Sequence, residues 1–280
     1  MKNRTQAPYV FVIGNTKGGA GKTTCCMHLI AGLMDFGLKV ASIDTDVHQH
    51  SLTTYIENRQ NYNKKQNQFQ LSLPEHFLIS PNFEETELIR SKQKEEIQSI
   101  ISDLQNRVDV IVIDTPASIC SLSALAHSYA DTIVTPINDS FLDIDLLAKV
   151  DPDSFKINGL STYSEMVWKQ KLVRAQRDGG QIDWVVLRNR LSNIDAKNKR
   201  AVAEVIDGIA KRIKCKIAPG FSERVIFREL FLQGITLIDL TNIQTKQLTI
   251  SHLAAKQELR GLLSFLKIEQ IKKYASKETS

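Results

Sequence analysis

The chain has 280 residues, 42% of them hydrophobic, enough to bury one large core, and it is read as a single domain over residues 1–280. No run approaches the roughly 18 apolar residues of a membrane span, and the polar first eight residues lead into no signal-like segment, so a cytoplasmic chain is expected. The net charge of +5 is modest, and Cys25, Cys26, Cys120 and Cys215 form no CxxC pair, which removes a disulfide framework or a cysteine metal site as the organising element.

Apolar runs at 9–13, 40–43 and 108–113 read as buried parallel strands; the first leads into glycines and the other two each end at an aspartate. Between the first two, Cys26, Leu29, Ile30, Leu33 and Met34 recur at helical spacing over 22–36, and Gly37 offers a left-handed stop. Residues 58–70, rich in Asn, Gln and Lys, read as a surface insertion or a frayed helix end. Residues 84–105 suit an exposed helix with one buried stripe. Strands are expected at 132–136, 184–188 and 214–218, helices at 164–177 and 196–212, and a flexible tail at 269–280. This alternation predicts an α/β fold, a mostly parallel twisted sheet with helices on both faces.

The loop between the first strand and its helix carries the chemistry. Small residues there let backbone N–H groups converge on phosphate oxygens, and the helix N-terminus adds partial positive charge. Gly18, Gly19, Ala20 and Gly21 supply that loop, Lys22 is placed to contact the β- and γ-phosphates of ATP, and the Thr23 hydroxyl, followed by Thr24, to coordinate Mg²⁺. These features predict a P-loop NTPase fold. Thr16 stands where the pattern expects its first glycine, and Lys17 adds a second lysine. One lysine serves one set of phosphates, so Lys17 is read as reaching across a homodimer to the partner's nucleotide, as an arginine finger does. Asp114 closes the strand at 110–113, where a carboxylate holds Mg²⁺ directly or through water. Asp44 and Asp46 lie beyond the second strand, at the edge where ligands bind in open sheets.

Residues 197–228 hold nine basic and three acidic side chains, a local charge of +6 that leaves −1 for the remainder. Such a concentration attracts a polyanion such as DNA, although a solvated helix face accounts for most charge runs.

With these motifs assembled, the chain resembles the ParA/MinD superfamily of deviant Walker A ATPases, and within it the MipZ group that positions the division plane. The strings at 134–141, 183–190 and 224–230 carry the resemblance beyond the nucleotide motifs. It implies that Lys17 acts across an ATP-state homodimer, that Asp46 positions the hydrolytic water, and that Asp44 sits close to the Mg²⁺ shell. Asn189 and Arg190 match positions that contact adenine, with Pro219 and its neighbours closing the pocket. It further implies nonspecific DNA binding by the dimer through Lys197, Lys199, Arg200, Lys211, Arg212, Lys214 and Arg224, a nucleoid-associated location, and ParB-like and FtsZ-like protein partners. The Asp114-Thr115-Pro116 string is followed by Ala117 where the superfamily has glycine. Two alternatives stay open: a ParA-type partitioning ATPase, and a MinD-type regulator using an amphipathic tail on a membrane, which is disfavoured because a packed C-terminal helix explains the same residues.

Overall fold

A computed structural model describes residues 7–66, 69–79, 86–138, 140–151, 157–191, 196–243 and 248–271; the side chains at 141, 142 and 196–203 fall outside that description. The elements follow in chain order: β1 (Tyr9–Ile13), α1 (Lys22–Asp35), β2 (Val40–Asp44), α2 (Ser51–Lys65), β3 (Glu75–Leu78), α3 (Glu87–Asp103), β4 (Val110–Asp114), α4 (Ser121–Tyr129), β5 (Thr132–Asn138), α5 (Phe141–Ile144), β6 (Ala148–Val150), β7 (Ile157–Leu160), α6 (Thr162–Asp178), β8 (Asp183–Asn189), α7 (Ala196–Ile213), β9 (Lys216–Ala218), α8 (Ile226–Gln233) and α9 (Ile250–Phe265).

Seven strands form one sheet in the order β3-β2-β4-β1-β5-β8-β9, and every pairing in it is parallel. A separate antiparallel pair, β6 and β7, has no counterpart in the sequence reading. The chain runs from β1 to β2 on one side of the sheet and from the neighbouring β5 toward β8 on the other, which opens a crevice at the carboxyl ends of β1 and β5.

Alternating side chains explain why the strands read as unbroken apolar runs. Phe11 and Ile13 join a core with α1, α2, α8 and α9 residues, while Val10 and Val12 join the opposite core with α3, α4, α6 and α7 residues. Both faces of the strand are buried, so both sets of positions are apolar. Helix α1 stops as expected, with Gly37 at φ 81°. Strand β9 starts two residues later than expected because Lys214 turns the backbone at φ 53°.

Of the two readings of residues 58–70, the helix end describes their first part. It continues α2 to Lys65, and Arg59 is fully buried in a bidentate pair with Asp239, at 2.6 and 2.8 Å. Within this polar stretch Asn63 closes the return of the chain through hydrogen bonds with Leu71, and Asn58 binds the Phe231 carbonyl. At the other end, Leu262, Leu263, Leu266 and Ile268 are buried in the core, Leu263 lying over Gly32 of α1. Those apolar residues serve packing. No described helix is long and apolar enough to cross a membrane. Of the tail expected at 269–280, residues 269–271 are helical, with Ile271 packed against the core, and 272–280 lie outside the described residues.

Candidate nucleotide site

The loop after β1 is anchored before it turns. Gly14 N–H donates to the Val134 carbonyl at 3.0 Å, and a side chain at Gly14 would meet His127 Nε2 at 2.2 Å, so only glycine fits over that ring. Buried Asn15 accepts the Lys17 N–H at 2.6 Å and donates to the Pro136 carbonyl. Gly19 and Gly21 take φ values of 72° and 88°, the left-handed geometry that bends the loop into α1. Ala20 is fully buried beneath it.

The two loop lysines diverge. Lys22 is buried and donates to the Lys17 carbonyl at 3.1 Å, across the mouth of the loop. The Lys17 side chain, 42% exposed, leaves the loop and pairs with Asp143 of α5. Asp143 is itself buried and accepts the Asn138 N–H at 2.7 Å.

Strands β2 and β4 bring Asp44 and Asp114 side by side in register. Asp114 Oδ2 accepts the Thr23 hydroxyl at 2.7 Å, while buried Asp114 Oδ1 has no hydrogen-bond partner among the described residues. Burial raises the Asp114 pKa and the Asp44 charge adds to this, against the Thr23 hydrogen bond and the Lys22 ammonium. Burial also lowers the Lys22 pKa. A buried carboxylate oxygen without a donor, next to a hydroxyl, suits a hard divalent cation with oxygen ligands, so the residues present fit Mg²⁺.

Asp44 is buried at the end of β2. Its Oδ1 accepts the Asp46 N–H at 3.0 Å, and its Oδ2 accepts the Thr53 N–H at 3.0 Å and the Thr53 hydroxyl at 2.9 Å. Both oxygens accept from protein donors, so Asp44 braces the loop from its place beside Asp114. Asp46 is half-buried, and its Oδ1 accepts N–H groups from His48 and Gln49.

Beside the loop lies a cleft of about 550 Å³, lined by Gly21, Thr24, Asn189, Arg190, Phe221 and Phe227 among others. The Asn189 amide donates to the Ala20 carbonyl at 2.9 Å, joining the cleft to the loop, and Arg190 beside it takes a left-handed backbone at φ 52°. Pro219 does not close this cleft: it is exposed and lies beside Gly261 of α9, because β9 ends at Ala218 and the chain returns toward Leu191 only at Phe221. Phe221, two residues beyond Pro219, and Phe227, within the string at 224–230, supply the apolar walls. A larger recess of about 1230 Å³ at the amino edge of the sheet contains none of the loop residues, and Arg174 in its wall is already paired with Asp131 and Asp178.

The basic segment is less uniform than its sequence. Lys211, Arg212 and Lys214 are exposed, although Arg212 donates to the Ile157 carbonyl at 3.0 Å. Arg224, expected as a DNA contact, is mostly buried and donates to Glu258 Oε1 at 2.8 Å and to the Ser251 hydroxyl at 3.1 Å. A neutralised guanidinium attracts little phosphate. Lys197, Lys199 and Arg200 lie on α7, with side chains outside the described residues.

The sequence profile of the ATPase MipZ matches residues 9–270. The chain belongs to the MipZ ATPase family. Septum site-determining protein MinD of Helicobacter pylori is 31% identical over 150 residues, 49% of this chain and 56% of that protein. The chain spans about half the length of the first curated relatives it matches. Among solved structures, apo McdA of Cyanothece superposes with a TM-score of 0.61 at 19% identity, covering 92% of this chain and 99% of that one. MinD of Pyrococcus horikoshii, complexed with Mg-ADP, gives a TM-score of 0.55 at 18% identity, covering 96% and 98%. These likenesses show a shared, mostly parallel α/β fold, and the family model places the chain among the MipZ ATPases.

Proposed function

We propose that the chain, acting as one domain, is an ATP-driven dimerising switch that hydrolyses ATP, binds DNA without sequence preference as a homodimer, and positions the division site through ParB-like and FtsZ-like partners. The observation that carries this reading is the divergence of Lys17 from Lys22. Lys22 closes on its own loop. Lys17 leaves the loop for the buried Asp143 carboxylate of the same chain while staying 42% exposed itself, so a second subunit can engage it.

In this reading the N–H groups of Gly18 to Thr24 and the Lys22 ammonium hold the phosphates, and Phe221, Phe227, Asn189 and Arg190 hold the base and ribose. Thr23 and the free Asp114 oxygen hold Mg²⁺, which when bound neutralises charge between the β- and γ-phosphates. Asp46 leaves its contacts with His48 and Gln49 to orient water. Lys17 of the partner subunit offsets charge developing on the transferred phosphoryl group. The exposed cations Lys211, Arg212 and Lys214, doubled by dimerisation, face nucleoid DNA.

The test is light scattering of purified protein with ATP and with ADP, repeated for Lys17→Ala. Dimer with ATP only, lost in the variant, is the expected result. A dimer unaffected by Lys17→Ala sinks the role in trans.

A further inference from the structure

A chain of hydrogen bonds runs from the sheet edge to the Asp46 loop. His76 on edge strand β3 is in register with Ser42 of β2, and His76 Nδ1 lies 2.9 Å from the Ser42 hydroxyl. His76 Nε2 lies 3.0 Å from the Thr53 hydroxyl in the first turn of α2. That hydroxyl donates to Asp44 Oδ2, and Asp44 Oδ1 accepts the Asp46 N–H. A hydroxyl has one proton, so Thr53, donating to Asp44, accepts from His76 Nε2–H, and in the neutral ring, which burial favours, His76 Nδ1 accepts from Ser42. Every donor and acceptor along the line then has one assignment.

We propose that Thr53 and His76 are positioning residues for ATP hydrolysis, fixing through Asp44 where the Asp46 backbone stands when its carboxylate turns to the attacking water. The proposal rests on the reading of Asp46 as the water-orienting residue. Three features favour positioning over plain packing. Thr53 and His76 are both half-buried and contribute little to either core. Thr53 contacts Asp44 through backbone and side chain together, so the α2 N-terminus and the Asp46 loop move as one piece. The line also ends on the backbone of the residue that the hydrolytic step needs. An orienting group displaced by a fraction of an ångström loses rate while substrate binding, set by a different loop, is untouched.

The experiment is steady-state ATP turnover by the full chain at protein concentrations that saturate dimer formation, for wild type, Asp46→Ala, Thr53→Val, Thr53→Ser and His76→Phe, with thermal melts of each. Thr53→Val and His76→Phe are expected to lower kcat by about tenfold with the KM for ATP within about twofold, and Thr53→Ser to restore most of it. Asp46→Ala is expected to be inactive. Wild-type kcat in Thr53→Val and His76→Phe, with Asp46→Ala inactive, overturns the proposal alone. Losses that track the melting temperature, with Thr53→Ser as impaired as Thr53→Val, overturn it in favour of a structural role. Full turnover in Asp46→Ala overturns the underlying reading and the proposal with it.

Discussion

Lys17 Nζ is paired with Asp143 Oδ1 of its own chain, and Asp143 is held in place by the Asn138 N–H. A lysine that serves a second subunit must leave this partner, so the pair opposes assembly. Asp143→Asn keeps an oxygen for Asn138 and removes the charge that holds Lys17. Because Lys17 is partly exposed, the pair is worth about 1 kcal/mol or less, and ATP-dependent dimerisation is expected to tighten by about two- to fivefold. Sedimentation equilibrium with ATP measures it; unchanged affinity means the pair does not compete with assembly.

Two buried histidines make the fold acid-sensitive. His28 Nδ1 lies 2.8 Å from the Thr24 carbonyl and its Nε2 accepts the Leu237 N–H, an arrangement that suits only the neutral ring. Burial lowers the pKa of both His28 and His127 from 6.5 to about 4. Between those values the unfolded chain binds protons that the folded chain refuses, so stability falls as pH drops through 6.5 toward 4. Urea unfolding is expected to show a loss on the order of 1 kcal/mol per histidine between about pH 7.5 and about pH 5.5. A flat profile over that range contradicts the burial of neutral rings.

The Arg59–Asp239 pair joins α2 to the turn before α9, and Arg59 also donates to the Ser72 and Gly234 carbonyls. Asp239→Asn leaves a buried guanidinium without its counter-charge. Unfolding free energy is expected to fall by about 3–5 kcal/mol. A loss under about 1 kcal/mol in urea denaturation would mean water reaches the site.

Gly21 combines φ 88° with the Asn189 amide 2.3 Å from where a Cβ would stand. The amide is the movable end of a side chain, but the backbone conformation is not negotiable for alanine. Gly21→Ala is expected to weaken ATP binding by at least about tenfold with little change in the melting temperature, a cost of 1.4 kcal/mol or more by the usual conversion to about a factor of ten. Fluorescent-nucleotide titration reports it.

DNA binding separates cations by their partners. Lys211→Ala and Lys214→Ala should each reduce the slope of log affinity against log salt by about 0.9, the signature of a lost phosphate contact. Arg224→Ala should leave that slope unchanged, because Glu258 already neutralises the guanidinium. A slope change for Arg224 alone would mean the ion pair opens on DNA.

The sequence by itself determined the elements whose signals are local. Strand β1 was legible to the residue because both faces are buried, and the Lys17–Thr24 loop because phosphate binding needs small residues, a lysine and a hydroxyl at adjacent positions. Gly37 ended α1 for the same local reason. Tertiary structure decided what depends on distant partners. Arg59 looked solvent-bound until Asp239, far along the chain, came to meet it, and Arg224 looked like a phosphate contact until Glu258 did. Asp44 kept its predicted place at the strand end, yet Thr53 and the Asp46 N–H took both of its oxygens. A charge's role follows from which group neutralises it, and pairing between residues remote in sequence exists only after the sheet has formed.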